Sequence, residues 1–163
     1  MLMYSIIFAS IFHYTIISQA VQWPAPYPIE VRRQCSGATG RIMCNGKPSS
    51  LTKIRLYDED RSVKYMDGAD LMEETLSNAT GYFTIHGCLL EILDIIPRID
   101  VYHSCNLKPM ECPRIRQEYI PYRYIHSPST EKQFYNFGEI DVTEQSGKEN
   151  KECILHSENG HFF

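Results

Sequence analysis

The six cysteines, at positions 35, 44, 88, 105, 112 and 153, offer the most chemistry in this chain. A cysteine is a metal ligand, a nucleophile or half of a disulfide, and the redox compartment largely decides which. No two of them stand at the Cys-x(2–4)-Cys spacing of a structural zinc site, so a metal set is not read from the spacing and no cofactor is expected. His103 stands close before Cys105, and an imidazole can activate a thiol as a nucleophile. In an oxidising compartment, however, such a cysteine is bonded and inert. His86, His103 and His126 lie on three separate runs and share no local motif, so no catalytic residue is assigned. Asp58, Glu59, Asp60, Asp67 and Asp70 cluster around a turn without the spacing or glycine of an EF-hand, and read as a solvated loop. Arg114 and Arg116 share a face by the two-residue period of a strand. Their planar donor forks suit phosphate or carboxylate, partly cancelled by Glu118, which makes them a candidate partner contact. Asn78-Ala79-Thr80 is a glycosylation sequon within a turn, to be used if the chain is exported.

The compartment follows from the first twenty residues, which carry no Lys, Arg, Asp or Glu. Ile6, Ile7, Phe8, Ile11, Phe12, Ile16 and Ile17 make this segment apolar, and it ends on the small residues Ser18 and Ala20 around Gln19. That pattern predicts a signal peptide over residues 1–20, cleaved after Ala20. His13, Tyr14 and Thr15 interrupt the run and leave it poor as a spanning helix. The mature protein is therefore expected to be secreted, to the extracellular region or cell surface, and not integral to a membrane. An even number of cysteines, all after the signal, then reads as a disulfide framework whose connectivity the spacing does not choose. The formal charge of −4 lacks the basic signature of nucleic-acid binding. The 43% hydrophobic and 22% charged composition is that of an ordinary folded domain.

The elements that must position these residues are short strands. Pro24, Pro26 and Pro28 forbid helix and predict a proline-rich arm over residues 21–34. From about residue 38, β-like runs alternate with turn signals. Arg41-Ile42-Met43-Cys44 enters the turn Asn45-Gly46-Lys47-Pro48. Ile54 and Leu56 share a face against Lys53, Arg55 and Tyr57, and Phe83 and Ile85 share another. Ile99, Val101 and His103 alternate with Asp100 and Tyr102, and residues 134–142 offer a last strand with Phe137 and Ile140 facing inward. The run 71–76 fits helix or strand on pattern alone. About seven short strands without an amphipathic helix predict two antiparallel sheets over one core. The stretch 88–97 is unusually apolar, and its Leu89, Leu90 and Ile92 are candidate contacts for a partner if they are not covered by the arm that Cys35 tethers. The tail after residue 156 is mostly polar.

Taken in order, these segments resemble the nematode transthyretin-like family. The likeness runs through Gly40-Arg41-Ile42-Met43-Cys44-Asn45-Gly46-Lys47-Pro48, Ile54-Arg55-Leu56-Tyr57-Asp58-Glu59-Asp60 and Thr80-Gly81-Tyr82-Phe83. It continues through Val101-Tyr102-His103-Ser104-Cys105, Ile120-Pro121, Tyr135 with Phe137-Gly138, and Glu152-Cys153-Ile154 with His156. The resemblance implies an all-β, transthyretin-like antiparallel sandwich over residues 35–156, followed by a polar tail at 157–163. It also implies a secreted, non-catalytic binding, bridging or signalling protein whose partner is an extracellular protein receptor or a cell-surface lipid. The family's cysteines match Cys44, Cys105, Cys112 and Cys153, which leaves Cys35 and Cys88 as an extra pair, expected to bond to each other. On the same resemblance, Cys105 is expected to pair with Cys112, and Cys44 with Cys153. Transthyretin folds include a hydroxyisourate hydrolase branch, but this chain ends Gly160-His161-Phe162-Phe163 without that branch's Tyr-Arg-Gly-Ser-like tail. Carriage of a small hydrophobic ligand is the remaining alternative.

Overall fold

A computed structural model describes residues 30–59, 69–144 and 149–151. The predicted signal peptide, most of the proline-rich arm, Asp60, Asp67, Cys153 and the polar tail lie outside the described residues. Nine strands and one short 3₁₀ turn make up the regular structure among those described. They are β1 (Arg32–Cys44), β2 (Lys47–Pro48), β3 (Lys53–Asp58), β4 (Asp70–Leu76), β5 (Tyr82–Glu91), β6 (Pro97–His103), β7 (Arg114–Tyr119), β8 (Tyr135–Asp141) and β9 (Glu149–Lys151), with the 3₁₀ turn at Tyr122–Tyr124. No helix among the described residues is long and apolar enough to cross a membrane.

Two sheets form the all-β sandwich that the strand pattern anticipates. In the first, β1 pairs with β2 and β5 antiparallel and with β8 parallel. In the second, the order is β4-β3-β6-β7-β9, all antiparallel. The alternation read from sequence places the core. Ile54 and Leu56 of β3 face inward with Ile99 and Val101 of β6, against Ala38 and Ile42 of β1, Phe83 and Ile85 of β5, and Ile140 of β8. Phe83 lies across Gly40, whose missing Cβ would stand 2.9 Å from its ring. A glycine inside a strand permits this close approach of an aromatic ring to a neighbouring backbone.

Three sequence expectations are corrected or resolved by the sheets. The segment 71–76 is strand, not helix: β4 hydrogen-bonds along β3 from Asp70 opposite Asp58 to Leu76 opposite Lys53. β1 begins at Arg32, well before the first β-like run in the sequence, because Arg32–Gln34 pair with the end of β5, Arg33 opposite Leu90 and Gln34 opposite Leu89. The disulfides differ as well. Cys35 is bonded to Cys88, but Cys44 is bonded to Cys105, not to Cys153, and so Cys105 does not pair with Cys112. Cys105 is buried just beyond the end of β6 and turns into the core, where Cys44 at the end of β1 stands across the sandwich with Cα atoms 5.9 Å apart. Nearness in sequence is outweighed by the inward face of the strand. Cys112 is itself disulfide-bonded.

The two bridges do different work. Cys44–Cys105 joins one sheet to the other, and Cys35–Cys88 ties neighbouring strands of a single sheet. On the chain-entropy account each closes a loop long enough to stabilise the fold by about 4 kcal/mol.

Candidate functional site

The amino-terminal half of β1 organises the candidate site. Cys35 exchanges both backbone hydrogen bonds with His126: its N–H donates to the His126 carbonyl at 2.8 Å and its carbonyl accepts from the His126 N–H at 2.9 Å. On the other side Cys35 faces Cys88 of β5, with Cα atoms 4.0 Å apart. Since its backbone bonds go to His126, Cys35 meets Cys88 as a non-hydrogen-bonded pair, the closer of the two antiparallel arrangements and the one that brings side chains together. Residues opposite one another share a face, so Cys35, Cys88 and His126 all lie on the outer side of the first sheet. His86 joins them from β5, opposite Gly37.

His86 and His126 meet at 3.1 Å between their Nε2 atoms. Residue 37 must be small for this to happen. A Cβ there would stand 2.9 Å from Phe134 Cδ1 and 3.1 Å from His86 Cδ2. The Phe134 ring lies beside the His86 ring, with centroids 5.7 Å apart. His126 is set by the 3₁₀ turn before it, closed by hydrogen bonds from Tyr124 N–H to Pro121 O and from Ile125 N–H to Tyr122 O. Tyr124 is held in turn by ring contacts running through Tyr135 to Phe137. The His126 ring bonds through Nδ1 to the carbonyl of Tyr124 at 3.1 Å. Burial is the main cause holding His86 below its ordinary pKa, and the charges of Lys132 and His126 add to it.

Beside this pair opens a groove of about 620 Å³, lined by Arg32, Arg33, Gln34, Asp94, Tyr122 and residues 125–129. Its wall is a small polar network. Arg32 reaches Asp94 at 2.9 Å, the Tyr122 hydroxyl donates to the other Asp94 oxygen at 2.6 Å, and Gln34 Nε2 donates to the Leu93 carbonyl at 2.6 Å. The Tyr122 hydrogen bond, with the Arg32 charge behind it, holds the Asp94 carboxyl below its ordinary value. Next to the groove the chain bends out of β5, leaving Leu90, Ile92 and Leu93 62%, 53% and 65% exposed, with Val31 and Tyr122 also exposed nearby.

The residues nominated from sequence are thus divided. Leu90 and Ile92 stand exposed at the groove, while Leu89, on the other face of β5, is half-buried. Arg114 and Arg116 lie on the second sheet, away from the groove. Their partners in register are His103 and Val101, both buried, and the Arg116 guanidinium is on Glu118 at 2.6 Å. Of the acidic cluster, Asp58 is buried and accepts a hydrogen bond from Ile96 N–H at 2.6 Å, and Glu59 pairs with Arg98 at 3.1 Å. These two hold the loop that leads into β6. His103 is buried in β6, apart from the other two histidines. Asn78 is exposed in its turn, and its side-chain oxygen accepts from Thr80 N–H, Thr80 Oγ1 and Tyr82 N–H. The sequence offered no motif for the His86–His126 pair. Its one local trace is a glycine inside a strand at 37, a mark of close approach.

The comparisons with known proteins agree with this architecture. A family profile described as the Transthyretin-like family matches residues 39–121. Transthyretin-like protein 5 of Caenorhabditis elegans is 33% identical over 128 residues, covering 78% of this chain and 90% of that protein. Transthyretin-like protein 33 of the same organism is 33% identical over 74% of this chain and 82% of its own length. Transthyretin-like protein 2 is 30% identical over 76% and 84% respectively. With its two-sheet sandwich, its disulfides and these relatives, the chain belongs to the Transthyretin-like family.

Proposed function

We propose that this protein is a secreted, disulfide-stabilised and non-catalytic binding protein that bridges or signals at the cell surface, and that it meets its partner through the groove face of the first sheet. The partner is an extracellular protein receptor or a cell-surface lipid. The observation that supports this reading is the apolar lip, Leu90, Ile92 and Leu93, held out of the core directly beside a groove edged by Arg32 and Arg33. Folded domains rarely leave several large aliphatic side chains together in water unless something covers them. The predicted signal peptide and the sequon at Asn78 agree with export. The test is capture of the mature, glycosylated protein on cell-surface extracts and on anionic-lipid vesicles, which separates the two partner classes. Changing Leu90 and Leu93 together to Asp is expected to abolish binding while shifting stability by no more than about 0.5 kcal/mol, as for exposed positions in general. Undiminished binding by that variant would overturn the assignment of this face.

One observation favours a second reading. His126 lines the same groove as Arg32 and Arg33, the combination of general base and anion-binding arginine that a hydroxyisourate hydrolase requires. Turnover of hydroxyisourate above background by the purified protein, lost in His126→Gln, would replace the binding reading with this one.

A further inference from the structure

We propose that His86 and His126 form a binding site for a divalent transition-metal ion of the zinc or copper class, held between their two Nε2 atoms on the outer face of the first sheet.

The case begins with the tautomers. A carbonyl oxygen only accepts, so the bond between His126 Nδ1 and the Tyr124 carbonyl places a proton on Nδ1. In the neutral ring Nε2 then carries a lone pair, and it faces His86 Nε2 at 3.1 Å. An outward hydrogen bond from one ring nitrogen to a backbone carbonyl, leaving the other free, is how proteins orient a histidine to ligate a metal. In the metal-free protein the proton of His86 Nε2 bridges the two nitrogens, and a cation can take its place once His86 carries its proton on Nδ1 instead.

The separation fits a cation. With metal–nitrogen bonds of about 2.0–2.1 Å, two ligands subtending a right angle stand about 2.9 Å apart and two at the tetrahedral angle about 3.4 Å. The observed 3.1 Å lies between. The pair is also anchored from both sides of β1, with His86 on β5 and His126 in the bridge to Cys35. Gly37 leaves the space beneath them and Phe134 closes one flank. Both rings are half-buried and His126 lines the open groove, so water can complete the coordination sphere.

Ligand chemistry selects the ion. Imidazole suits zinc and copper, whereas calcium and magnesium take oxygen ligands. The two rings supply nitrogen and no oxygen ligand, so a hard cation gains nothing here. The Cys35 and Cys88 sulfurs lie within 4.8 Å of the ligating atom of His86 but are spent in their disulfide, and the site does not use them.

The test is calorimetric titration of the mature, disulfide-intact protein, without an affinity tag, with zinc chloride and copper chloride at pH 7.4. Calcium and magnesium chloride serve as controls. One zinc or copper ion per chain is expected, with binding at least tenfold weaker at pH 5.5. His86→Gln and His126→Gln should each weaken it about tenfold or more while leaving the circular dichroism and the urea midpoint close to wild type. Absence of stoichiometric binding, or binding that survives unchanged in both folded variants, would overturn the proposal. Equal response to calcium would overturn the assignment of ion class.

Discussion

The outer faces of the two sheets are built from similar residue types and satisfied to very different degrees. On the second sheet, polar groups that could face water are paired with one another. Arg98 reaches Asp100 at 2.8 Å and Glu59 at 3.1 Å, and Gln117 donates to the second Asp100 oxygen at 3.2 Å. Arg55 grips Glu74 at 2.6 Å and lies over the Tyr102 ring, and Arg98 lies over the Tyr57 ring. For Arg98 burial opposes the charge, yet Asp100 and Glu59 outweigh it and keep the guanidinium firmly protonated. On the first sheet, two imidazoles are turned nitrogen to nitrogen, an arginine pair edges an open groove, and three aliphatic side chains stand in water. The second sheet spends most of its charged groups on one another, whereas the first presents an apolar lip and an arginine edge to an open groove. On the binding reading proposed above, the open face is the one that meets the partner.

Substitutions that treat the two faces alike should therefore separate them. The largest expected effect is on the paired face. Arg98→Met leaves Asp100, only 4% exposed, without its cation, and breaking a buried ion pair from one side costs about 3 kcal/mol or more. Urea unfolding should show that loss, while zinc titration of the folded variant should match wild type. Gly37→Ala reverses the pattern. The new Cβ would press on Phe134, His86 and the carbonyl of Ile85, at a cost of about 1–3 kcal/mol for overpacking. Metal affinity should fall much more than that stability loss suggests, because the His86 ring moves. A Gly37→Ala variant with wild-type metal binding would show that the glycine serves the sheet alone.

The same contrast explains what was legible in the sequence. Period-two alternation is written by burial on one side, so Ile54 and Leu56, Phe83 and Ile85, and Ile99 and Val101 could be placed in the core from their spacing alone. β4 escaped because it is an edge strand with most of its residues exposed, which leaves no period to read. The start of β1 escaped because Arg32, Arg33 and Gln34 have no apolar rhythm of their own and are held by the partner strand. Cys44–Cys105 escaped because strand direction, not sequence distance, decides which sulfurs meet across a sandwich. The apolar lip was visible as composition, but its exposure depended on Leu90 taking the outer face of β5 and on the chain leaving that strand after Glu91. The histidine pair was invisible, since His86 and His126 are joined only through the two edges of β1.

The smallest expected effects concern acid, where the two halves of the open face should part at different pH. His86 has its folded pKa below the ordinary value of 6.5, so the folded state resists protonation. Above 6.5 the ring is neutral in both states and there is no penalty. As the pH falls from 6.5 through the folded pKa, the unfolded chain takes up the proton first and stability declines. Asp94 titrates lower. The Tyr122 hydrogen bond and the Arg32 charge depress its pKa below the ordinary 3.8, so its contribution is intact above 3.8 and disappears only as the pH falls through the folded value. Urea midpoints measured from pH 7.5 to pH 2.5 should therefore lose, in His86→Gln, the part of the decline that begins near 6.5. Tyr122→Phe should retain that part and differ from wild type by a small amount that vanishes at the acid end. If Tyr122→Phe instead changed the decline near neutrality, the groove wall and the histidine pair would be one coupled network, and the metal site would have to be tested together with the groove.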